Sequence, residues 1–150
     1  MNGVWKELLI FSGVESLMMA VWKYLGPSDP CGVDNTPRWS WQVSLLFQLV
    51  IFPGLCYYAW IEDGKVPLDD WLVLPWPQGE PHDETRHGIR WFLCAFTGYM
   101  IKDFWPFLMK IGPMYVVHHI VSLFICFCFL FGDMPPAIFV FGSSVAEVGS

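Results

Sequence analysis

The chain has 150 residues, of which 55% are hydrophobic, 18% are aromatic and 15% are charged, and its mean hydropathy is +0.45. This balance is typical of helices packed in a membrane rather than of a soluble domain. The formal net charge is −6 and the chain has no basic patch, so we expect no nucleic-acid partner. The five cysteines form no CxxC pair and no His/Cys metal spacing, so we expect no metal site. Four of them lie in apolar runs, which predicts small buried thiols, whereas Cys31 lies in a loop and is expected to be a free surface thiol.

Residues 4–25 predict the first helix. Its uncharged core is interrupted by Glu15, and charged residues lie at both of its ends. The segment is either a short membrane span with Glu15 facing the bundle or a helix lying in the membrane interface, and we favour the span. We expect no cleaved signal peptide, because no apolar run followed by a small-residue cleavage site is present.

Residues 26–40 predict a loop, and residues 41–60 predict a second span with Trp and Tyr belts at its two ends. Pro53 and Gly54 lie inside this span and should disturb it, because proline cannot donate a backbone hydrogen bond. Residues 61–90 hold ten of the 22 charged residues and predict a loop against the membrane surface. We expect its acidic pairs to form a solvated face.

Residues 91–109 predict a third span that contains Lys102 and Asp103. Asp103 shares a helix face with Tyr99, four residues earlier. Ionisable groups inside a membrane are functional candidates by default. The structural alternative is that Lys102 extends towards the headgroups while Asp103 makes a hydrogen bond within the bundle.

Residues 114–132 predict a fourth span of almost uninterrupted apolar character, with two adjacent histidines in it. Helical spacing places its few polar side chains along one stripe. We expect this stripe to face the bundle interior, since polar groups are costly in lipid. Its members are Tyr115, His118, His119, Ser122 and Cys126.

Residues 135–150 begin a further span that contains Glu147 and several small residues. The chain ends before this span would complete a crossing, so we expect that carboxy-terminal spans are missing. The sequence therefore predicts an all-α, multi-pass transmembrane bundle with four to five membrane segments. We expect residues 1–150 to form a single membrane domain.

Three polar landmarks follow one another in the second half of the chain: GYMIKD at residues 98–103, VVHHIVSLF at residues 116–124 and AEVGS at residues 146–150. This series resembles the TLC domain, named for TRAM, Lag and CLN proteins. Members of that family carry a Gly-Tyr-x-x-x-Asp element, then paired histidines on the next span, then a Glu followed by small residues. The resemblance covers the chain from about residue 85 onwards, and the earlier spans suit the amino-terminal portion of such a domain.

The resemblance implies an endomembrane protein, of the endoplasmic reticulum or a related compartment, that acts on or around lipids. The ceramide synthases of this family are acyl-CoA-dependent N-acyltransferases. His118 and His119 match their paired histidines, and Asp103 and Glu147 match acidic positions of the wider family. Ceramide synthases also carry an Asp shortly before the histidines and an Asp-rich following helix, and this sequence has neither feature. The chain is therefore closer to the generic TLC-domain proteins of lipid homeostasis.

Two functions follow as expectations. The first is binding or handling of a membrane lipid in a polar intramembrane cavity, without a cofactor. The candidate lipid-binding residues are Tyr99, Tyr115, Ser122 and Glu147.

The alternative is a ceramide-synthase-like N-acyltransferase with acyl-CoA as co-substrate. A neutral histidine would take the proton of the nucleophile, and a carboxylate would orient the imidazole. The candidate catalytic residues are His118, His119 and Asp103. A metal site built on the histidine pair is disfavoured, because adjacent helical residues diverge by about 100°.

Overall fold

The computed structural model describes residues 3–31, 36–77, 86–103 and 113–148, except for the side chains of residues 31, 36, 102, 103, 115 and 148. Among the described residues, the regular elements are helices apart from one two-residue antiparallel pairing, which confirms the all-α prediction. In chain order the elements are α1 (Gly3–Leu25), β1 (Pro30–Cys31), β2 (Thr36–Pro37), α2 (Arg38–Leu46), a π-helical segment (Phe47–Ile51), α3 (Phe52–Glu62), α4 (Leu68–Leu72), α5 (His87–Asp103), α6 (Pro113–Phe131) and α7 (Ala137–Val148).

The second long helix is continuous from α2 through the π segment to α3, and we call it the α2–α3 helix. The disturbance predicted at Pro53 takes the form of the π segment, which ends two residues before it. Proline has no N–H to donate to the carbonyl four residues earlier, so the regular pattern of α-helical hydrogen bonds is interrupted at this point.

Helix α5 lies at the centre of the bundle and contacts α1, α3, α6 and α7. From residue 88 to residue 100 every residue except Trp91 is buried. Gly88, near the start of α5, packs against the backbone of Ala59. Tyr99, near its end, meets Gln48. The α2–α3 helix is therefore antiparallel to α5.

The other helices continue this alternation of direction. In α1, Glu7 pairs with the start of α5 and Glu15 lies against Gly98 further along it, so these two helices are parallel. The end of α6 returns to the start of α1, where Phe131 stacks on Trp5 with ring centroids 5.3 Å apart. The starts of α1, α5 and α7 and the ends of α3 and α6 therefore lie at the same end of the bundle.

The exterior of the bundle is apolar. Two helices of the described chain, Gly3–Leu25 and Arg38–Glu62, are long and apolar enough to cross a membrane. In the most apolar stretch of 18 residues in each helix, only 11% and 17% of the residues, respectively, are buried. A core helix of a soluble protein would be mostly buried, whereas these helices expose Leu, Val and Trp side chains on their outer faces. This distribution favours a membrane protein; the four to five membrane segments stay a prediction.

Two arginines at the start of α5 are buried in ion pairs at one end of the bundle, which we call the arginine end. Arg86 is 7% exposed and pairs with Asp63. Its guanidinium also donates to the carbonyl oxygens of Leu74 and Pro75, at 3.0 and 3.2 Å. Trp71 donates its indole N–H to the same Asp63 carboxylate at 2.6 Å. The segment after α3 is thereby held against the start of α5.

The second arginine pair links α5 to α1. Arg90 is 2% exposed, and its guanidinium donates to both carboxylate oxygens of Glu7. Glu62, at the end of α3, accepts the backbone N–H groups of His87 and Gly88 at 3.1 and 2.6 Å. A carboxylate at this position satisfies the unpaired donors of a helix start.

These pairs correct part of the surface-loop prediction for residues 61–90. Asp69 and Asp70 are exposed, as expected of a solvated face. Arg86 and Arg90, in contrast, are packed inside the bundle. The charge density of the segment did not reveal this, because the carboxylate partners are distant in sequence: Asp63 is 23 residues before Arg86, and Glu7 is 83 residues before Arg90.

Removal of the Asp63 carboxylate should destabilise the protein strongly. Asp63→Ala leaves the buried Arg86 guanidinium without its counter-charge, and breaking a buried pair in this way costs ~3–5 kcal/mol. Asp69→Ala is the matched control and should stay within ~0.5 kcal/mol of wild type, since Asp69 is exposed. Unfolding of both variants by denaturing detergent in bicelles measures the difference. Equal stability of the two variants would contradict this account of the arginine end.

The close approach of α5 to α3 predicts a second effect on stability. A Cβ at Gly88 would lie 2.6 Å from Cα and 2.8 Å from the backbone N of Ala59, so Gly88→Ala must push the helices apart. We expect a loss of ~1–3 kcal/mol in the same unfolding assay. At Gly142, in α7, a Cβ would meet nothing within 4 Å. Gly142→Ala should be neutral or stabilise by up to ~1 kcal/mol, because alanine is the better helix former.

Candidate functional site

A hydrogen-bonded group of polar side chains joins three helices inside the bundle. Gln48, in the π segment, donates its side-chain amide to the carboxylate of Glu147 at 3.1 Å and to the hydroxyl of Tyr99 at 3.4 Å. Tyr99 is 4% exposed, whereas Gln48 and Glu147 are half-buried. Tyr99 and Glu147, two of the predicted lipid-binding residues, therefore meet through a residue of a third helix.

The π segment helps to explain how Gln48 reaches both partners. A π turn widens the helix locally and changes which side chains share a face, and such turns are frequent at functional sites. Phe47 and Phe52, at either end of the segment, pack on the Tyr99 ring with centroid distances of 5.5 and 5.2 Å. The tyrosine is therefore fixed by aromatic packing while its hydroxyl faces the amide.

Glu15 of α1 lies against α5 at Gly98, the residue before Tyr99. Its carboxylate is buried, with the residue 2% exposed, and it lies against the backbone of Gly98. A Cβ at position 98 would collide with Oε2 of Glu15 and would lie 3.1 Å from Oγ of Ser12. The glycine of the GYMIKD motif therefore provides the space that the carboxylate occupies. The predicted inward orientation of Glu15 is confirmed.

Five polar residues lie at one depth in the bundle, and we call them the polar layer: Glu15, Gln48, Tyr99, His119 and Glu147. Each lies ten to fourteen residues along its helix from the arginine end. At 1.5 Å per residue this places them ~15–21 Å from that end. In a bilayer with a hydrocarbon core of ~30 Å, such a depth is close to the midplane.

The structure separates the two histidines. His119 is 6% exposed and lies on the face of α6 that packs towards α5, whereas His118 is exposed on the outer face. Their ring centroids are 5.6 Å apart with an interplanar angle of 82°. The expectation that both belong to one inward stripe is therefore wrong for His118, because neighbouring residues diverge by about 100° around a helix and α5 covers only one face of α6.

The rest of the predicted stripe lies partly inside the bundle. Cys126 is fully buried, with its sulfur 3.9 Å from the carbonyl oxygen of Leu93, and Ser122 is half-buried. Cys94 is also fully buried, and Cys56 and Cys128 are half-buried, as free thiols. The side chains of Asp103 and Tyr115 lie outside the described residues, so their predicted roles stay predictions.

Sequence reasoning missed Gln48 as a site residue. It lies in the apolar run SLLFQLVIF, and a single amide side chain in a long apolar segment does not by itself indicate a functional site. Its position five residues before Pro53 could have drawn attention, because irregular turns form where proline interrupts the ladder. Its partners, 51 and 99 residues away along the chain, could not have been identified from local spacing.

The donors and acceptors of the polar layer suit a neutral or hydrogen-bonding ligand group. The carboxylate, amide and phenol oxygens can accept hydrogen bonds from a hydroxyl or an amine, and the amide N–H and phenol O–H groups can donate to an ester or amide carbonyl. Within the described residues, no three His, Cys, Asp or Glu side chains are grouped so as to hold a metal ion. Comparisons of the chain with protein-family models, with curated proteins and with solved structures found no match.

The separation of the histidines predicts unequal effects of their replacement. His119→Ala removes a buried ring from the contact between α6 and α5 and should destabilise the protein by ~1–3 kcal/mol. His118→Ala removes an exposed ring and should change stability by no more than ~0.5 kcal/mol. Thermal unfolding of the two variants in nanodiscs measures the difference. A larger loss in His118→Ala than in His119→Ala would overturn the placement of the two rings.

Proposed function

We propose that this chain is a multi-pass membrane protein of the TLC type that binds a membrane lipid through its polar layer, in the endoplasmic reticulum or another endomembrane. The observation that carries the proposal is the hydrogen bonding of Gln48 to both Tyr99 and Glu147 within a bundle whose exterior is apolar. Tyr99 belongs to the first landmark motif and Glu147 to the third, and His119 of the second lies at the same depth.

Energetics support a binding role for this group. Hydrogen bonds between helices in a membrane contribute only ~0.6 kcal/mol on average to stability. Ionisable groups at membrane depth are costly, so structural stabilisation alone is a weak reason to keep two carboxylates and a histidine in one layer. Recognition of a polar group near the midplane, such as a lipid hydroxyl, amine or amide, provides a stronger reason.

The acyltransferase alternative requires a base beside the reacting atoms. The burial of His119 in the polar layer supports a single-histidine version of it, in which the neutral imidazole accepts a proton from an amine or hydroxyl nucleophile while acyl-CoA supplies the acyl group. A version that needs His118 and His119 at one reacting atom has less support, because the two rings lie on different faces of α6.

Lipid retention tests the proposed function. Wild type, Gln48→Leu and Glu147→Gln are purified in nanodiscs, and the bound lipids are identified by mass spectrometry. Loss of one hydrogen bond to a charged group costs ~1.5–3 kcal/mol, so retention of the specific lipid should fall by about tenfold or more in both variants. Gln42→Leu is the matched control, since Gln42 is exposed on α2 and pairs with Trp22 instead.

The outcomes separate the two functions. An unmodified lipid that is retained by wild type and Gln42→Leu but lost from the polar-layer variants supports binding. An acylated product that disappears in His119→Ala would instead support the acyltransferase. Identical lipids in every preparation would contradict both functions for this layer.

A further inference from the structure

A cavity of about 510 Å³ lies between α3, α4 and α7, outside the polar layer. Its volume falls within the ~300–1,000 Å³ that is usual for small-molecule sites in proteins. The short helix α4 covers one end, where Leu68 and Trp71 line the wall. Pro53, Tyr57 and Phe141 add further apolar and aromatic surface along the two long helices. The cavity is therefore a groove between three elements rather than the bare face of one helix.

The walls offer little to a polar ligand. Two tryptophans line the cavity, but their N–H groups donate elsewhere: Trp60 to the carbonyl oxygen of Val66 at 2.8 Å, and Trp71 to Asp63. The hydroxyl of Ser144 donates to the carbonyl oxygen of Phe52 at 3.4 Å. With these groups engaged, the surface that remains for a ligand is hydrocarbon and aromatic ring.

The cavity opens onto the outer surface of the bundle. Tyr57 and Val145, at its edge, are 59% and 57% exposed. They continue the apolar exterior that includes Leu49 and Ile138, which are 53% and 52% exposed. If this exterior faces lipid, the molecules that reach the opening are the hydrocarbon chains of the surrounding bilayer.

The residues that line the cavity extend along α3 from Trp60, near the arginine end, to Pro53. Trp60 lies two residues from the end of α3, at the level where tryptophans of membrane proteins meet the headgroups. Ser144 lies one helical turn before Glu147 of the polar layer. A chain inside the cavity would therefore run from the interface level almost to the depth of the polar layer.

We propose that this cavity holds one acyl chain of a bilayer phospholipid. The proposal rests on the proposed membrane location and lipid binding, and it adds where the hydrocarbon part of the lipid lies. Tyr57 and Val145 flank the entry, Trp60 and Trp71 close the interface end, and Cys56 and Ser144 line the inner wall.

Photocrosslinking of the full chain tests the site. The protein is placed in phosphatidylcholine nanodiscs that contain a small fraction of phosphatidylcholine with a diazirine midway along one acyl chain. After irradiation, peptide mass spectrometry locates the adducts. We expect adducts per exposed residue to be about fivefold more frequent on residues 53–60 and 141–145 than on the outer face of α1, because an enclosed chain stays beside the same side chains.

Filling the cavity provides the decisive comparison. Cys56→Phe places a ring in the cavity. It should reduce adducts at residues 53–60 and 141–145 by about tenfold, which corresponds to a loss of about 1.4 kcal/mol in binding free energy. Cys128→Phe is the matched control, because Cys128 is also a half-buried thiol but does not line the cavity. Val145→Phe, at the exposed edge, is the second variant if Cys56→Phe does not insert, and the same reduction is expected of it.

The results distinguish this proposal from the proposed function. Adducts spread evenly over all exposed apolar residues, or unchanged adducts in Cys56→Phe and Val145→Phe, would overturn the acyl-chain site. If lipid retention still depends on Gln48 and Glu147 in that case, the proposed function stands without it. If the cavity is still labelled but lipid retention does not depend on Gln48 and Glu147, the acyl-chain site is supported and lipid binding by the polar layer is contradicted.

Discussion

Helix α5 is surrounded by the rest of the bundle over residues 88–100, and polar side chains that are not satisfied within the helix must therefore find a partner on a neighbouring helix. Arg90 finds Glu7 of α1, and Tyr99 finds Gln48 of the α2–α3 helix. Two glycines of α5 allow the neighbours to come close: Gly88 faces the backbone of Ala59, and Gly98 faces the carboxylate of Glu15. Small residues and satisfied polar groups are the two devices by which apolar helices associate specifically.

Polar groups of the bundle are concentrated at two levels. At the arginine end, one ion pair fastens the segment after α3 to the start of α5, and the other fastens α1 to α5. The polar layer lies ~15–21 Å away, where Gln48 of the π segment donates to Glu147 and to Tyr99 at 3.1 and 3.4 Å. Within this layer Gln48 and Glu147 are half-buried and the other three residues are buried, and the apolar cavity beside α7 extends to Ser144, three residues before Glu147.

Several parts of this arrangement could be predicted from the sequence. The apolar runs predicted helices over residues 4–25 and 41–60, and the structure has helices at Gly3–Leu25 and Arg38–Glu62. Glu15 was expected to face the interior because an exposed carboxylate in an apolar helix is costly, and it is buried. Tyr99 and Glu147 were selected as polar residues within apolar segments, and both belong to one hydrogen-bonded group.

Other parts could not be predicted, because they depend on contacts between distant segments. The pairs Arg90–Glu7 and Arg86–Asp63 join residues 83 and 23 positions apart, so the local charge density of residues 61–90 could not show that these arginines are buried. The histidine pair looked like one unit on a helical stripe, yet only His119 lies on the face that α5 covers.

The sequence by itself therefore determined the helices and their apolar outer faces, since these follow from the composition and spacing of neighbouring residues. Only the tertiary structure decided which polar side chains meet, which histidine is enclosed and where a cavity remains. Those features depend on the direction, depth and rotation of each helix relative to α5, and these are set by close packing over the whole bundle rather than by any single segment.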